Sequence, residues 1–369
     1  MKPYHVTRTS SDCRVRKPLS LIATKNAHLH DVVLFLRQKE LVHWVPGYSF
    51  KCSVSTRGAF ATSKIWPTYK FDEVFVPLKD DNLCNYHVTF SDSALIRMKH
   101  DGRYVELSPT DKVRTQGMAN KLKRINSVNM KHHIVVKSSG CEYPCCNKLF
   151  IAFANNLERG GRIYAFGNSY QNDLRENRKK IFIENEATIE LDYSGLHPRM
   201  LYAKEGIQYN GELYDLNGYL TEFQEDPDLK LLAKRALLIL INAKYSRNIP
   251  GTLADNIWKN DRRLSRQLYK RYPPSDSDLG IYSRVVEAVK TKHEAISKYF
   301  HSDSGAKLQR IDGKIALAIC YWFACCNIPI LPVHDSFIVA LQHSKQLQNL
   351  MYETYQRYNQ GFSCPVKQK

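Results

Sequence analysis

No stretch of this 369-residue chain approaches the roughly 18 consecutive apolar residues that a membrane-spanning helix needs, so a membrane partner is not expected. The first twenty residues are basic and polar with no apolar run behind them. A secretory signal is therefore not expected, and the expected location is intracellular and cytoplasmic, a phage or mobile element being a fitting source. No internal repeat and no long low-complexity tract is visible; the nearest are short basic runs, Arg14 to Lys17 and Lys121 to Arg124. A secreted-type disulfide framework is missing too. The ten cysteines read as reduced thiols used as small hydrophobes, with Cys320, Cys325 and Cys326 as examples. Cys141, Cys145 and Cys146, with His132 and His133 upstream, could supply a structural zinc site, although the second clean ligand pair that a closed site shows is missing.

Acidic residues are the scarce charged class. Against 54 Lys and Arg stand 36 Asp and Glu, a formal net charge of +18. Such an excess predicts a polyanionic partner, because clustered cations gain affinity by releasing counterions from phosphates. Nucleic acid is the first candidate, with a merely soluble basic protein as the bland alternative. A hydrophobic fraction of 43% with 24% charged residues excludes a disordered tail and predicts a buried core, in two or three domains at this length.

Along the chain, residues 1–150 mix short strand-like runs (Val32 to Leu36, Glu73 to Val76) with a basic helical stretch from Asp111 to Met130. That stretch reads either as part of an ordinary accessory domain or as a surface that holds a duplex. From Gly160 the pattern sharpens into a glycine turn, a strand ending at Leu191, a helix from Pro198 to Glu205 and an apolar helix from Asp228 to Ala243. Residues 250–280 are rich in charge and punctuated by Pro273 and Pro274, a break before two helices, Ile281 to Phe300 and Leu308 to Cys326. Two apolar strands, Asn327 to His334 and Phe337 to Leu341, are then expected around an Asp335-Ser336 tip.

Two aspartates stand out in that order. Asp192 ends an apolar strand just before a helix, and Asp335 sits at the bend of a hairpin with apolar flanks, so neither is expected in the core. Two carboxylates at one sheet edge suit two Mg²⁺ ions, with Mn²⁺ as a substitute. Hard cations take oxygen ligands, and a metal pair stabilises both the attacking and the leaving oxygen of phosphoryl transfer. The alternative is two unrelated loop aspartates, since turns favour Asp without catalysis. A serine triad built from His334, Asp335 and Ser336 is excluded, because adjacent strand residues point to opposite faces. Between the aspartates, Lys230, Lys234 and Asn242 lie near one stripe of an otherwise apolar helix. That basic face can clamp a triphosphate; alone, it also reads as a solvated lysine pair.

These segments, in this order, resemble the motifs of the single-subunit polymerases, which comprise family A DNA polymerases and phage-type or mitochondrial RNA polymerases. Asp-Tyr-Ser-Gly-Leu-His-Pro-Arg (192–199) looks like motif A, residues 230–242 like motif B, and Val-His-Asp-Ser-Phe (333–337) like motif C. Gly161-Arg162-Ile163-Tyr164, followed by Tyr170-Gln171-Asn172, resembles the Gly-Arg element that precedes motif A. The resemblance covers residues 155–345. It implies an α+β right-hand fold with an antiparallel-sheet palm (151–219 and 301–369), helical fingers (220–300) and a basic thumb-like region (1–150). It implies template-directed addition of nucleotides to a 3′-hydroxyl, with primer–template and nucleoside triphosphates as partners. Asp192 and Asp335 then correspond to the metal-binding pair. Lys234 and Lys230 correspond to triphosphate contacts, with Tyr193, His197 and Asn242 around the nucleotide. Arg162, Gln171, Asn172, Gln309 and His334 correspond to contacts with the growing duplex, His334 beside the primer terminus. His197 and Asn242 replace the glutamate and tyrosine of the DNA enzymes, and Ser336 follows Asp335 where they carry glutamate, so the sugar is left open. No exonuclease motif is found in the first 150 residues. A primase-like enzyme and a catalytically dead nucleic-acid-binding relative are the alternatives.

Overall fold

In the computed structural model the described residues are 4–9, 12–15, 38, 42–45, 49–50, 59–60, 63–67 and 95–369, the last apart from 101–102, 139–140, 146, 167–168, 173, 225, 246–247 and 275–278. The strand-like runs expected at 32–36 and 73–76 lie outside them. The chain forms two compact units, one of residues 1–91, 134–147 and 165–181, the other of 92–133, 148–164 and 182–369. Each unit draws on segments from both sides of residue 147.

The first unit contains short antiparallel strands: β1 (Tyr4–Thr9), β2 (Asp12–Val15), β3 (Val42–Val45) and β6 (Ser63–Pro67) in the order β2-β1-β6-β3, and the pair β4 (Ser49–Phe50) and β5 (Ala59–Phe60). The second unit opens with β7 (Ile96–His100), β8 (Arg103–Val105) and helix α1 (Pro109–Lys131). The hairpin β9 (Ile134–Ser138) and β10 (Cys141–Pro144) belongs to the first unit. Back in the second, β11 (Leu149–Ala154) pairs in parallel with β7, and β12 (Asn156–Ala165) lies on the other side of β11.

Helix α1 begins where the sequence supplies a cap: the Ser108 hydroxyl accepts from Asp111 N, and Pro109 sits in the first turn, where no amide hydrogen is needed. Leu122, Ile125 and Val128 bury one face. Asn126 and Asn129, three residues apart on that face, each clasp one backbone residue through both amide atoms, Leu149 at 2.9 and 2.8 Å and Ile330 at 3.0 and 3.1 Å. Each buried amide is thereby satisfied on a strand entrance, and α1 fixes where β11 and the later hairpin begin.

The sheet that carries the motifs pairs β13 (Ile181–Ile183) with β14 (Glu186–Tyr193), and β14 with β16 (Ser336–Ala340), which pairs with β15 (Leu331–Val333); β17 (Val366–Gln368) lies on β14. All these pairings are antiparallel, and the described fold is mixed α+β. On β14 the alternation sends Ile189, Leu191 and Tyr193 to one buried face, while Glu190 and Asp192 share the other. The expected strand end at Leu191 thus extends two residues, to Tyr193.

A four-residue helix, α2 (Arg175–Arg178), lies in the first unit. Helix α3 (Leu196–Lys204) starts two residues earlier than its proline suggests, capped by Gly195 at φ 70. Helix α4 (Asp228–Asn242) matches the expected apolar helix. The charged break at 250–280 instead holds two helices, α5 (Ile249–Asn260) and α6 (Arg262–Arg271), with α7 (Ile281–Lys292) and a 3₁₀ segment (Glu294–Tyr299) after them. Their caps stand in the sequence: Asn248 accepts from Gly251 N and Asp261 from Leu264 N. Helix α8 (Ser304–Cys325) packs on α1, and α9 (Ser344–Tyr358) packs on α8. Cys320 is buried as expected, but Cys325 and Cys326 are exposed. Among the described residues no helix is long and apolar enough to cross a membrane.

Candidate active site

Strand pairing puts the two aspartates together. Asp192 faces Ser336 across the β14–β16 register, and Tyr193 N donates to Asp335 O at 3.3 Å. The hairpin turn is His334-Asp335, with Ser336 already the first residue of β16, so the expected Asp335-Ser336 tip moves back by one. Two-residue hairpins need a positive φ in the turn to match strand twist, and His334 supplies it at φ 60. Neither carboxylate is freely exposed: Asp192 and Asp335 are both half-buried. Burial, and after it the charge of Asp335, push the Asp192 carboxyl up to about 6, against the pull of Lys369. Lys369 Nζ lies 3.0 Å from Asp192 Oδ1.

Hard oxygen donors crowded until one resists ionisation fit a divalent cation, which relieves the repulsion that raises Asp192. Among the described residues no group of three His, Cys, Asp or Glu side chains is placed around a metal. Remaining ligands would come from water and substrate phosphates, as Mg²⁺ usually arranges.

Behind the turn stands a buried polar knot that sequence reading missed. Asp312 on α8 is 1% exposed and accepts from Arg162 Nε at 2.6 Å, while His197 Nε2 lies 3.7 Å from the same oxygen and 3.3 Å from Arg162 Nη2. Burial pushes the Asp312 carboxyl up, but the approach of His197 and the charge and hydrogen bond of Arg162 outweigh it and hold the group below its ordinary value. The knot exists because α8 touches β12 directly: a Cβ on Gly313 would stand 2.0 Å from Gly161 O. Gly161 is itself at φ 80, and a Cβ there would meet Phe153 at 2.8 Å. An acidic residue followed by glycine in the middle of an apolar helix was the available signal. The Tyr164 ring stands edge-on to His334 with centroids 5.7 Å apart. His334 is half-buried, its Nδ1 has no hydrogen-bond partner, and burial, then Arg162, lower its pKa.

The loop of residues 205–220 links the aspartates to the lysine helix. Arg199 is buried, donating to the carbonyls of Ser194 (2.9 Å), Gly211 (3.1 Å) and Tyr209. Leu213 packs against Gly195, where a Cβ would collide at 2.1 Å. The Tyr214 hydroxyl is pushed up to about 12 by burial and next by the charge of Asp335, Asp192 adding to it. Lys234 Nζ lies 5.9 Å from the Tyr214 ring centre. Lys230 pairs with Glu212 at 3.8 Å, and Lys367 reaches the same carboxylate at 3.6 Å. Both helix lysines are exposed. Asn242 is turned to its own helix, donating to Leu238 O at 2.6 Å, and packs against Gly305.

The other expected residues are placed less centrally. Tyr193 is buried on the opposite face of β14, its hydroxyl donating to Met351 O at 2.5 Å. It therefore serves the core rather than a nucleotide. Gln309 is half-buried on α8. Gln171 and Asn172 lie in the first unit on a 3₁₀ turn (Tyr170–Asn172), where Gln171 Oε1 accepts from Ala165 N at 2.9 Å. Of the cysteine group, Cys145 is buried, while Cys146 and the side chain of Cys141 lie outside the described residues. His132 engages Glu184 (2.9 Å) and Asn327 O (3.1 Å) through its two ring nitrogens.

No protein-family model matches the chain, and no curated protein matches it. Among solved structures it is similar to the POL domain of Pol1 from M. smegmatis, determined in complex with DNA primer-template and dNTP, at 14% identity and a TM-score of 0.36, over 70% of this chain and 51% of that one. The chain thus spans about half the length of that structure.

Proposed function

We propose that this protein is a template-directed nucleotidyltransferase that adds nucleotides to a 3′-hydroxyl, with a palm of residues 151–219 and 301–369, fingers of 220–300 and a basic thumb-like region of 1–150. One observation carries the reading: the β14–β16 register joins Asp192 to the Asp335 turn, and the proximity of Asp335 helps drive the Asp192 carboxyl up to about 6. Asp192 and Asp335 would hold two Mg²⁺ ions, or Mn²⁺, which when bound supply charge neutralisation at the attacking and leaving oxygens. In this reaction the 3′-oxygen bonds to the α-phosphorus of the incoming nucleotide, the bond to the β-phosphate oxygen breaks, and pyrophosphate leaves.

The chain's own residues supply position and charge. Lys234, steered by Tyr214, faces the triphosphate, with Lys230 as a second cation. His334 and Arg162 stand at the duplex end of the site, Arg162 held there by Asp312. His197 is committed to that same knot, so the group that meets the sugar is chosen by Asp312 as much as by motif A. The product sugar stays open between dNTP and NTP. The +18 charge supports a primer–template partner.

The test is primer extension with labelled dNTPs and NTPs, with and without primer, on the wild type and on Asp335→Asn. Metal-dependent, template-matched extension lost in the variant is expected. Synthesis without a primer would move the reading to a primase, and tight duplex binding with no synthesis under any condition would make the chain a binding protein.

A further inference from the structure

We propose that Lys369 is the resident counter-cation of the Asp192 carboxylate, and that its ammonium and a divalent metal ion occupy that carboxylate in exchange. The inference rests on the reading of Asp192 and Asp335 as metal ligands and concerns what fills the site before the metal does.

The geometry begins with strand register. On β17, Lys367 stands opposite Asp192 and Gln368 opposite Leu191, so the next residue, Lys369, falls opposite Glu190; its backbone N donates to Glu190 O at 2.9 Å. Cross-strand partners share a face, and Glu190 and Asp192, two apart on β14, share theirs. Lys367 and Lys369 are therefore both presented to the acidic face. They divide: Lys367 reaches out to Glu212, whereas Lys369 turns inward. Its Nζ lies 3.0 Å from Asp192 Oδ1, 3.5 Å from Glu190 Oε1 and 3.4 Å from Ser336 Oγ. Ser336 Oγ donates in turn to Glu190 Oε1 at 2.6 Å.

The ammonium donates to Ser336 Oγ and stands within ion-pair distance of both carboxylates, so one cation answers two anions. The carboxylates that surround it are largely withdrawn from water, with Glu190 only 8% exposed in its side chain. Without a cation they would repel one another on one face of one strand. Lys369 thus lets the acidic edge assemble before any metal arrives. A divalent ion asks for the same lone pairs at closer range, and an ammonium 3.0 Å from Asp192 Oδ1 repels it there. Metal entry requires Lys369 Nζ to leave, so β17 sets the affinity of the site for its ion without contributing a ligand.

The experiment is Mn²⁺ binding to the full chain, without nucleotide or nucleic acid, read from the electron paramagnetic resonance signal of free Mn²⁺. Lys369→Gln is expected to bind Mn²⁺ at least fivefold more tightly than wild type, Lys369→Arg to stay close to wild type, and Asp192→Asn to lose the site. Unchanged or weaker binding in Lys369→Gln overturns the exchange. A second measurement on the wild type avoids dependence on a folded variant: acetylation of Lys369 by an amine-reactive reagent, quantified by mass spectrometry, should rise severalfold on adding Mn²⁺ while Lys367 stays constant. No rise at Lys369 also overturns it. If Asp192→Asn binds Mn²⁺ as the wild type does, the carboxylates are not a metal site and the polymerase reading fails with the proposal. If Asp192→Asn loses Mn²⁺ while Lys369→Gln is unchanged, only the exchange fails.

Discussion

The strand pair β14–β16 and the helix α4 carry the two halves of the proposed chemistry in opposite ways. The aspartates are held by backbone: register fixes Asp192 beside Ser336 and the turn fixes Asp335, whatever their side chains touch. The lysines of α4 are held by their tips alone, exposed stems that meet a tyrosine ring and a surface carboxylate. Groups that must be preorganised stand on the sheet, and groups that can follow a flexible substrate stand on the helix. Removing a sheet group should then be far costlier than removing a helix group.

The sharpest form of that contrast is Asp335→Asn, which is expected to reduce incorporation about ten-thousandfold, roughly 5 kcal/mol of transition-state stabilisation, while circular dichroism and primer–template affinity stay close to wild type. Residual synthesis within tenfold of wild type would place the chemistry elsewhere. Asp312→Ala tests the support behind the sheet. It leaves the half-buried Arg162 guanidinium without its counter-charge, and breaking a largely buried pair costs roughly 3–5 kcal/mol, to be read from denaturant unfolding.

His293 probes the floor of the linking loop. It is fully buried between the Tyr202 hydroxyl at 2.8 Å and Leu213 O at 2.9 Å, and burial holds its pKa down at about 4. A folded value below the unfolded one means that its stabilising contribution is complete above pH ~6.5 and is lost as the pH falls towards 4. Unfolding free energy should drop by about 3 kcal/mol across that window, and His293→Gln should flatten the slope. An equal slope in the variant would assign the titration to another group.

The helix side gives the smallest effects. Lys234→Ala is expected to lower kcat/KM for nucleotides about tenfold, near 1.4 kcal/mol, without a comparable loss of duplex affinity. Lys230→Ala should cost only about threefold, because Glu212 already engages that ammonium. If duplex affinity collapses in Lys234→Ala while nucleotide KM is unchanged, α4 faces the template rather than the triphosphate.

How much of this was legible depends on the range of the forces involved. The apolar run before Asp192 marked β14, the run of Leu and Ile marked α4, and the expected Asp335-Ser336 tip fell within one residue of the observed turn. Helices α5 and α6 were missed because charge masked them, although Asn248 and Asp261 stood at their starts as cap signals. Tyr193 looked available beside Asp192, yet strand alternation sends it to the core, where it bonds to Met351 O. Asp312 was passed over, although the glycine that follows it in an apolar helix was a local sign of close packing; its partners Arg162 and His197 lie more than a hundred residues away in the chain.

Local chemistry in the chain itself therefore determined the strand that carries Asp192, the hairpin that lifts Asp335, the lysine stripe and the basic charge that calls for a polyanion. These follow from periodicity, turn preference and net charge, which neighbouring residues settle among themselves. Only the tertiary structure decided which groups meet: Gly313 letting α8 close on Gly161 so that Asp312 grips Arg162 beside His197, Tyr214 coming near Lys234 and within the field of the aspartates, and Lys369 turning inward to Asp192 while Lys367 turns out. Those encounters join residues far apart in the chain, and their partners are selected by packing and burial, which no single stretch of sequence contains.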